Sequence, residues 1–195
     1  MTGHRVLRVD DPAAGELLTT GWAVAHRSWA ARLHVGERLA LLAQPVAAAE
    51  AGGFRIGEAG PDADDGIAAL EAVVQGDYPG GPATVPTRHD LAAITALRGG
   101  GTRFFTATDE GRVVAVTAIR QDGARAETDF TAVLPTHRRR GLAEAVKAAS
   151  ILALAKEGVI EFGTGGADEN TASLAMNARL GYIVTERWLT LAPPA

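Results

Sequence analysis

His137-Arg138-Arg139-Arg140-Gly141-Leu142-Ala143 is the stretch on which the reading of this chain turns. An alternating run from Ala126 to Leu134 leads into it, Pro135 ends that strand, and a helical pattern follows at once. A strand, a basic glycine-bearing turn and a helix start, in that order, present unpaired backbone N–H groups and a partial positive charge. Together they form a seat for an anion. Three arginines at the mouth add donors suited to phosphate. The same seven residues also read as a solvated basic turn before a surface helix, so the rest of the chain has to decide.

The 195 residues fit one domain, or one domain with a substantial appendage, and can bury a real core. A formal charge of −4 argues against a nucleic-acid partner, because phosphate-backbone affinity needs a net basic face. With no cysteine there are no disulfides, no thiolate chemistry and no cysteine zinc site. Met1 is followed by His4, Arg5, Arg8, Asp10 and Asp11, which form no signal-peptide core. The most apolar window, Ala143 to Ala155, is short and carries Lys147, so no membrane span is expected and a cytoplasmic location is the default. His4, His26, His34 and His89 show no ligand spacing, and no metal is expected.

Read in order, residues 5–9 suit a short strand, and Asp10-Asp11-Pro12 opens a short helix from Ala13 to Thr20. Ala23 to Val35 is strand-like, and Glu37 to Ala51 is helical but interrupted at Pro45. Gly52-Gly53 marks a boundary, giving an N-terminal segment 1–52 and a domain 53–195. Beyond it come a strand at Phe54 to Glu58, an amphipathic helix at Asp62 to Gln75, and a Gly/Pro loop around Tyr78. A second helix follows at Thr87 to Leu97. Three antiparallel strands, with Asp109-Glu110-Gly111 as a hairpin turn, lead to the opening stretch. Gly141 to Lys156 is the longest helix; a strand at Val159 to Phe162, a helix at Asn170 to Leu180 and a strand at Tyr182 to Leu191 complete the chain. Gly163-Thr164-Gly165-Gly166 lacks the third glycine of a dinucleotide fingerprint and reads as a loop. The order β-α-α-β-β-β-α-β-α-β predicts a mixed, mostly antiparallel α/β sheet flanked by helices, not a regular βαβ alternation.

These residues resemble the GNAT superfamily of acyl-CoA-dependent N-acyltransferases. Its pyrophosphate loop, Gln/Arg-x-x-Gly-x-Gly/Ala, is matched by Arg138-Arg139-Arg140-Gly141-Leu142-Ala143. Its second signature is matched by Asn170-Thr171-Ala172-Ser173, closing in Leu180-Gly181-Tyr182. The resemblance covers roughly Phe54 to Leu191. It implies acetyl-CoA as acyl donor and a small-molecule or peptide amine as acceptor. Many members carry a Tyr seven residues after that Asn as general acid, where this chain has Asn177. In that departure it is similar to the halves of tandem, mycothiol-synthase-like acetyltransferases. Asp10 to Trp22 repeats the spacing of Asn170 to Tyr182, with Arg27 at the offset of Arg187. The echo reads as the tail of a truncated first repeat, which would add sheet to this domain or to a homodimer mate.

The chemistry can also be argued from the residues. Backbone N–H groups from Arg139 to Ala143 would converge on a pyrophosphate, each helix-end contact contributing roughly 0.3–1 kcal/mol. Gly141 admits close backbone approach. Arg138, Arg139 and Arg140 reach for phosphate or stay solvated. Asn170 either holds a pantetheine arm or caps its helix, and Asn177 either faces the arm or satisfies buried backbone. The resemblance places the arm and acyl carbonyl along the backbone near Val133. An ammonium acceptor must lose a proton before attack, so a carboxylate on that strand is the natural base. Asp129 is the first candidate and Glu127 the second, unless both are rim carboxylates. Tyr78 is an alternative acid or an exposed loop aromatic, and His137 reads as a structural turn residue.

Overall fold

The strands and helices of the computed structural model, which describes residues 3–36, 39–77 and 89–194, follow the expected order. The strands are β1 (Arg5–Arg8), β2 (Ala23–His34), β3 (Arg55–Glu58), β4 (Thr102–Asp109), β5 (Arg112–Asp122), β6 (Arg125–Val133), β7 (Glu161–Ala167) and β8 (Ile183–Ala192). The helices are α1 (Pro12–Thr19), α2 (Leu39–Ala51), α3 (Asp64–Val74), α4 (Leu91–Gly99), α5 (Leu142–Lys156) and α6 (Thr171–Leu180). All eight strands join one sheet in the order β1-β8-β2-β7-β6-β5-β4-β3. Only β6 and β7 run parallel.

Local chemistry sets the corners. Glu110 and Gly111 both adopt left-handed φ, 48° and 84°, which closes the β4–β5 hairpin in two residues. Asp90 caps α4 by accepting from the Ala93 N–H at 3.0 Å, so that helix starts at Leu91; Thr87 lies outside the described residues. On β4, Phe104 points to α4, where the Arg98 guanidinium stands 4.9 Å from its ring centre. Its neighbour Phe105 points to the opposite face and packs in a cluster with Ala148, Ile151 and Leu154 of α5. The sheet is therefore sandwiched, with α3 and α4 on one face and α5, covered by α2, on the other.

Two expectations are corrected. Helix α2 runs unbroken through Pro45. The carbonyl that Pro45 cannot satisfy belongs to Leu41, which is exposed, so solvent can take that bond. Gly163-Thr164-Gly165-Gly166 is not a loop but the middle of β7, paired along its length with β2.

That pairing shows where the N-terminal segment goes. It joins the sheet of its own chain, with β2 between β7 and β8, and β8 between β1 and β2. Ser28 sits opposite Trp188, Arg27 opposite Leu189 and Trp29 opposite Arg187. The register slips once on each strand, at Ala25 and at Thr185. The offset carrying Ser28 to Trp188, Arg27 to Arg187 and Ala25 to Thr185 is the one that carries Asp10 to Asn170. The units β1-α1-β2 and β7-α6-β8 thus pair about a local two-fold axis through Ser28 and Trp188.

Candidate active site

Strands β6 and β7 pair only from Arg125 opposite Glu161 to Glu127 opposite Gly163, and then part. Asp129 is the extra residue of a bulge on β6, since Ala118 faces Phe130 while Ile119 faces Thr128. On the other side, β7 bends under Trp29 of β2. A side chain at Gly165 would place its Cβ 2.9 Å from the Trp29 carbonyl oxygen, and one at Gly166 3.0 Å from the indole. The buried indole donates from Nε1 to the Ala167 carbonyl at 3.2 Å. The opening between the strands is a cavity of about 1100 Å³, walled by β6, β7, α6, the start of α5 and part of β2.

One end gathers backbone N–H groups in an arrangement suited to an anion. Gly141 caps α5 in a left-handed conformation, φ 75°, with no side-chain cap, and Arg139 is also left-handed at φ 61°. The Ala145 N–H is the first to bond back, to the Gly141 carbonyl at 3.0 Å. The N–H groups of Leu142, Ala143 and Glu144 therefore lack an intrahelical partner, and all three residues border the cavity. The arginines divide. Arg139 lines the cavity, and Arg138 lines it while pairing with Asp77 and donating from Nε to the Val133 carbonyl at 3.3 Å. Arg140 turns its guanidinium over Phe54, 6.0 Å from the ring centre, away from the cavity wall. Its side chain is not part of the seat.

The free edge of β6 forms the next wall. Leu134 donates its N–H to the Val114 carbonyl on β5 at 2.9 Å. Strand alternation then aims the Val133 N–H and carbonyl the other way, into the gap. Asp129 is exposed and lines this wall. Glu127 does not; it lies at the closed end of the β6–β7 pairing and is tied to Arg32 of β2. The structure thus brings Asp129, and not Glu127, to the cavity.

The floor carries what sequence reasoning missed. Asn170 caps α6, its Oδ1 accepting from the Ser173 N–H at 3.1 Å, and also borders the cavity. Asn177 is buried beneath the cavity lining. Its Nδ2 donates to the Ser173 carbonyl at 2.9 Å, and its Oδ1 accepts from Lys147 Nζ at 2.6 Å. It therefore satisfies a buried cation and a buried backbone carbonyl, and does not line the cavity. Lys147 lines the cavity although it is only 1% exposed, and it donates a second bond to Thr164 Oγ1 at 2.8 Å. Its ammonium stands 4.7 Å from the Tyr182 ring centre. Burial pushes the Lys147 pKa down to about 7, with Glu127 pulling weakly the other way. The signal was available: a lysine four residues after Ala143, on a helix face that continues through Ser150, Ile151 and Leu154.

His137 is held by Thr136 Oγ1 at 2.8 Å and Asp109 Oδ2 at 3.2 Å, as a turn residue should be. Tyr78 lies outside the described residues. Among the described residues, no helix is long and apolar enough to cross a membrane.

The acetyltransferase (GNAT) family model matches residues 68–182. No curated protein sequence matches the chain. Among solved structures, a GCN5-related N-acetyltransferase from Sphaerobacter thermophilus aligns over 100% of this chain at TM-score 0.67 and 17% identity. A tandem GNAT protein of the clavulanic acid biosynthesis pathway aligns over 96% at TM-score 0.63 and 19% identity. The chain spans only 62% of each of those two proteins. The ribosomal-protein-S18-alanine N-acetyltransferase from Escherichia coli aligns over 72% of this chain and 93% of its own length, at TM-score 0.56 and 19% identity. These identities speak for the fold. The family match spans more than half of the sequence and takes in both the glycine turn and the Asn170 helix, so the chain belongs to the GNAT acetyltransferase family.

Proposed function

We propose that this chain transfers an acetyl group from acetyl-CoA to a primary amine of a small molecule or peptide, by direct attack within one cavity. The observation that carries the reading is the meeting of the uncapped start of α5 with the parted edge of β6. The N–H groups at the helix start suit a pyrophosphate, and the Val133 backbone suits an arm laid along the edge and the acyl carbonyl beside it. Asp129, on the same wall, takes the proton that the amine must lose. We read residues 1–52 as the remnant of a first repeat, which contributes Trp29 to the wall.

Thiol release with acetyl-CoA and a panel of small and peptide amines tests the reading directly. Gly141→Glu places charge and bulk at the seat and is expected to abolish CoA binding by calorimetry; unchanged affinity would mean the wrong loop. Asp129→Asn is expected to lower turnover about 10²-fold and shift its pH profile while CoA affinity holds. A wild-type profile would clear Asp129.

Asn177 supports a second reading, a catalytically silent acyl-CoA sensor. The position usually held by a tyrosine offers no acidic proton here and is spent on Lys147. CoA binding with no thiol release on any amine would favour it.

A further inference from the structure

We propose that Lys147 is the catalytic acid of this cavity, giving the proton that the departing thiolate of the acyl donor must take up, with Asn177 and Thr164 holding its ammonium in place. The inference rests on the acyl-transfer reading and supplies the proton that the Asn177 position lacks.

Placement carries the argument. Lys147 follows Ala143 by four residues, so it lies on the same face of α5 as the anion seat, one turn deeper into the cavity. A donor anchored at the helix start and running along the β6 edge must pass that face. An ammonium has three N–H donors. Thr164 Oγ1 and Asn177 Oδ1 take two, and one is left. The orientation of Asn177 is fixed independently, because its Nδ2 donates to the Ser173 carbonyl at 2.9 Å and to Ser173 Oγ at 3.3 Å. Its oxygen must therefore face the lysine.

Among the described residues, the charges around Lys147 leave it without a carboxylate partner. Glu127 is bound to Arg32, and Glu144, one turn earlier on α5, is bound to Arg179 of α6. From the segment before β8, Tyr182 offers only its ring face, and burial raises its hydroxyl pKa. Burying a cation against neutral oxygens is unfavourable, and an apolar side chain of similar volume would pack this floor at lower cost. The device makes sense if the proton is used. Burial also sets the lysine to about 7, where it can both give and regain a proton.

The step balances. The amine nitrogen forms its bond to the acyl carbon while the C–S bond breaks and its electron pair stays on sulfur. Lys147 transfers a proton to that sulfur, giving the thiol. Asp129 accepts the proton that the amine nitrogen loses as the amide forms and releases it to solvent, and Lys147 recovers one from solvent once the thiol has left.

The test uses the full chain and CoA itself. Thiolate absorbance is followed while bound CoA is titrated in wild type, in Lys147→Met, and in Lys147→Met with Asn177→Leu. The double change leaves no orphaned amide and guards against misfolding. In wild type the bound thiol is expected to titrate about one unit or more below its ordinary value near 8.5, and in both variants to return to or above it. In thiol-release assays Lys147→Met is expected to lose about 10²-fold in kcat, together with the alkaline fall in the wild-type pH profile. Equal thiol titration in wild type and Lys147→Met overturns the assignment and leaves acyl transfer standing. Failure of wild type to bind CoA, or a shifted thiol with no release to any amine, overturns both.

Discussion

The units β1-α1-β2 and β7-α6-β8 follow the same path and pair about a two-fold axis, yet only one of them borders chemistry with its helix. In α6 the cap is Asn170, and Asn177 lies buried under Lys147. In α1 the cap is Asp11, which accepts from Ala13, and the position matching Asn177 is Leu17, packed with Ala14, Leu189 and Leu191. Among the described residues, no helix covers α1 as α5 covers α6. The polar floor is therefore not a property of the strand-helix-strand unit. It exists where α5 brings a cation down onto α6.

The largest expected effect comes from removing the N-terminal unit. Without residues 1–52 the sheet loses β2 from between β7 and β8, and with it Trp29, Leu33 and their buried packing. Two strands would then face each other across a missing one. The truncated chain is expected to lose its cooperative thermal transition by circular dichroism and its CoA binding. A truncated chain that melts cooperatively would show the N-terminal copy to be an ornament on a self-sufficient domain.

The sequence carried the element order because turn residues and periodicity are local properties. It carried the seat because a glycine turn between strand and helix is contiguous. Matched spacing hinted at two like strand-helix-strand units, but not at their interleaving, which depends on strand partners far apart in the chain. The Gly163–Gly166 strand was misread for the same reason: Gly165 and Gly166 answer Trp29, more than 130 residues earlier, Gly163 answers the Arg32–Glu127 pair, and nothing nearby explains them. Lys147 was visible only as a flaw in an apolar window. Its meaning needed Asn177 and Thr164, brought in by α6 and β7.

A smaller change sharpens the contrast between the helices. Asn177→Leu imposes on α6 the residue type of α1 and takes one of two acceptors from a buried ammonium. The expected cost is about 1–3 kcal/mol, read from denaturant unfolding. Its pH dependence follows from Lys147. The folded pKa, about 7, lies below the ordinary 10.5, so between them the unfolded chain binds more protons and wild-type stability rises with pH. The contribution is complete above the ordinary value and lost as pH falls through about 7. The cost of Asn177→Leu should accordingly be larger at about pH 6 than at about pH 9, because neutral Lys147 needs the acceptor less. A cost independent of pH would mean that Asn177 serves Ser173 alone. The matching Leu17→Asn on half-buried α1 is expected to change stability by less than about 1 kcal/mol, with no pH term.

The smallest contrast compares the strands. Gly165 of β7, opposite Ala30 of β2, corresponds in the sheet to Val6 of β1, opposite Thr190 of β8 and exposed on the sheet edge. A Cβ at Gly165 would sit 2.9 Å from the Trp29 carbonyl oxygen, a backbone atom fixed by pairing on both sides of β2. Gly165→Ala must therefore push β7 away from β2, at about 1–3 kcal/mol. The shift narrows the mouth between β6 and β7, so CoA affinity is expected to fall with stability. Val6→Ala meets no such wall and is expected to leave both within about 0.5 kcal/mol. Equal effects at the two positions would mean that β7 is held no more tightly than the free edge, and that Trp29 does not set the width of the cavity.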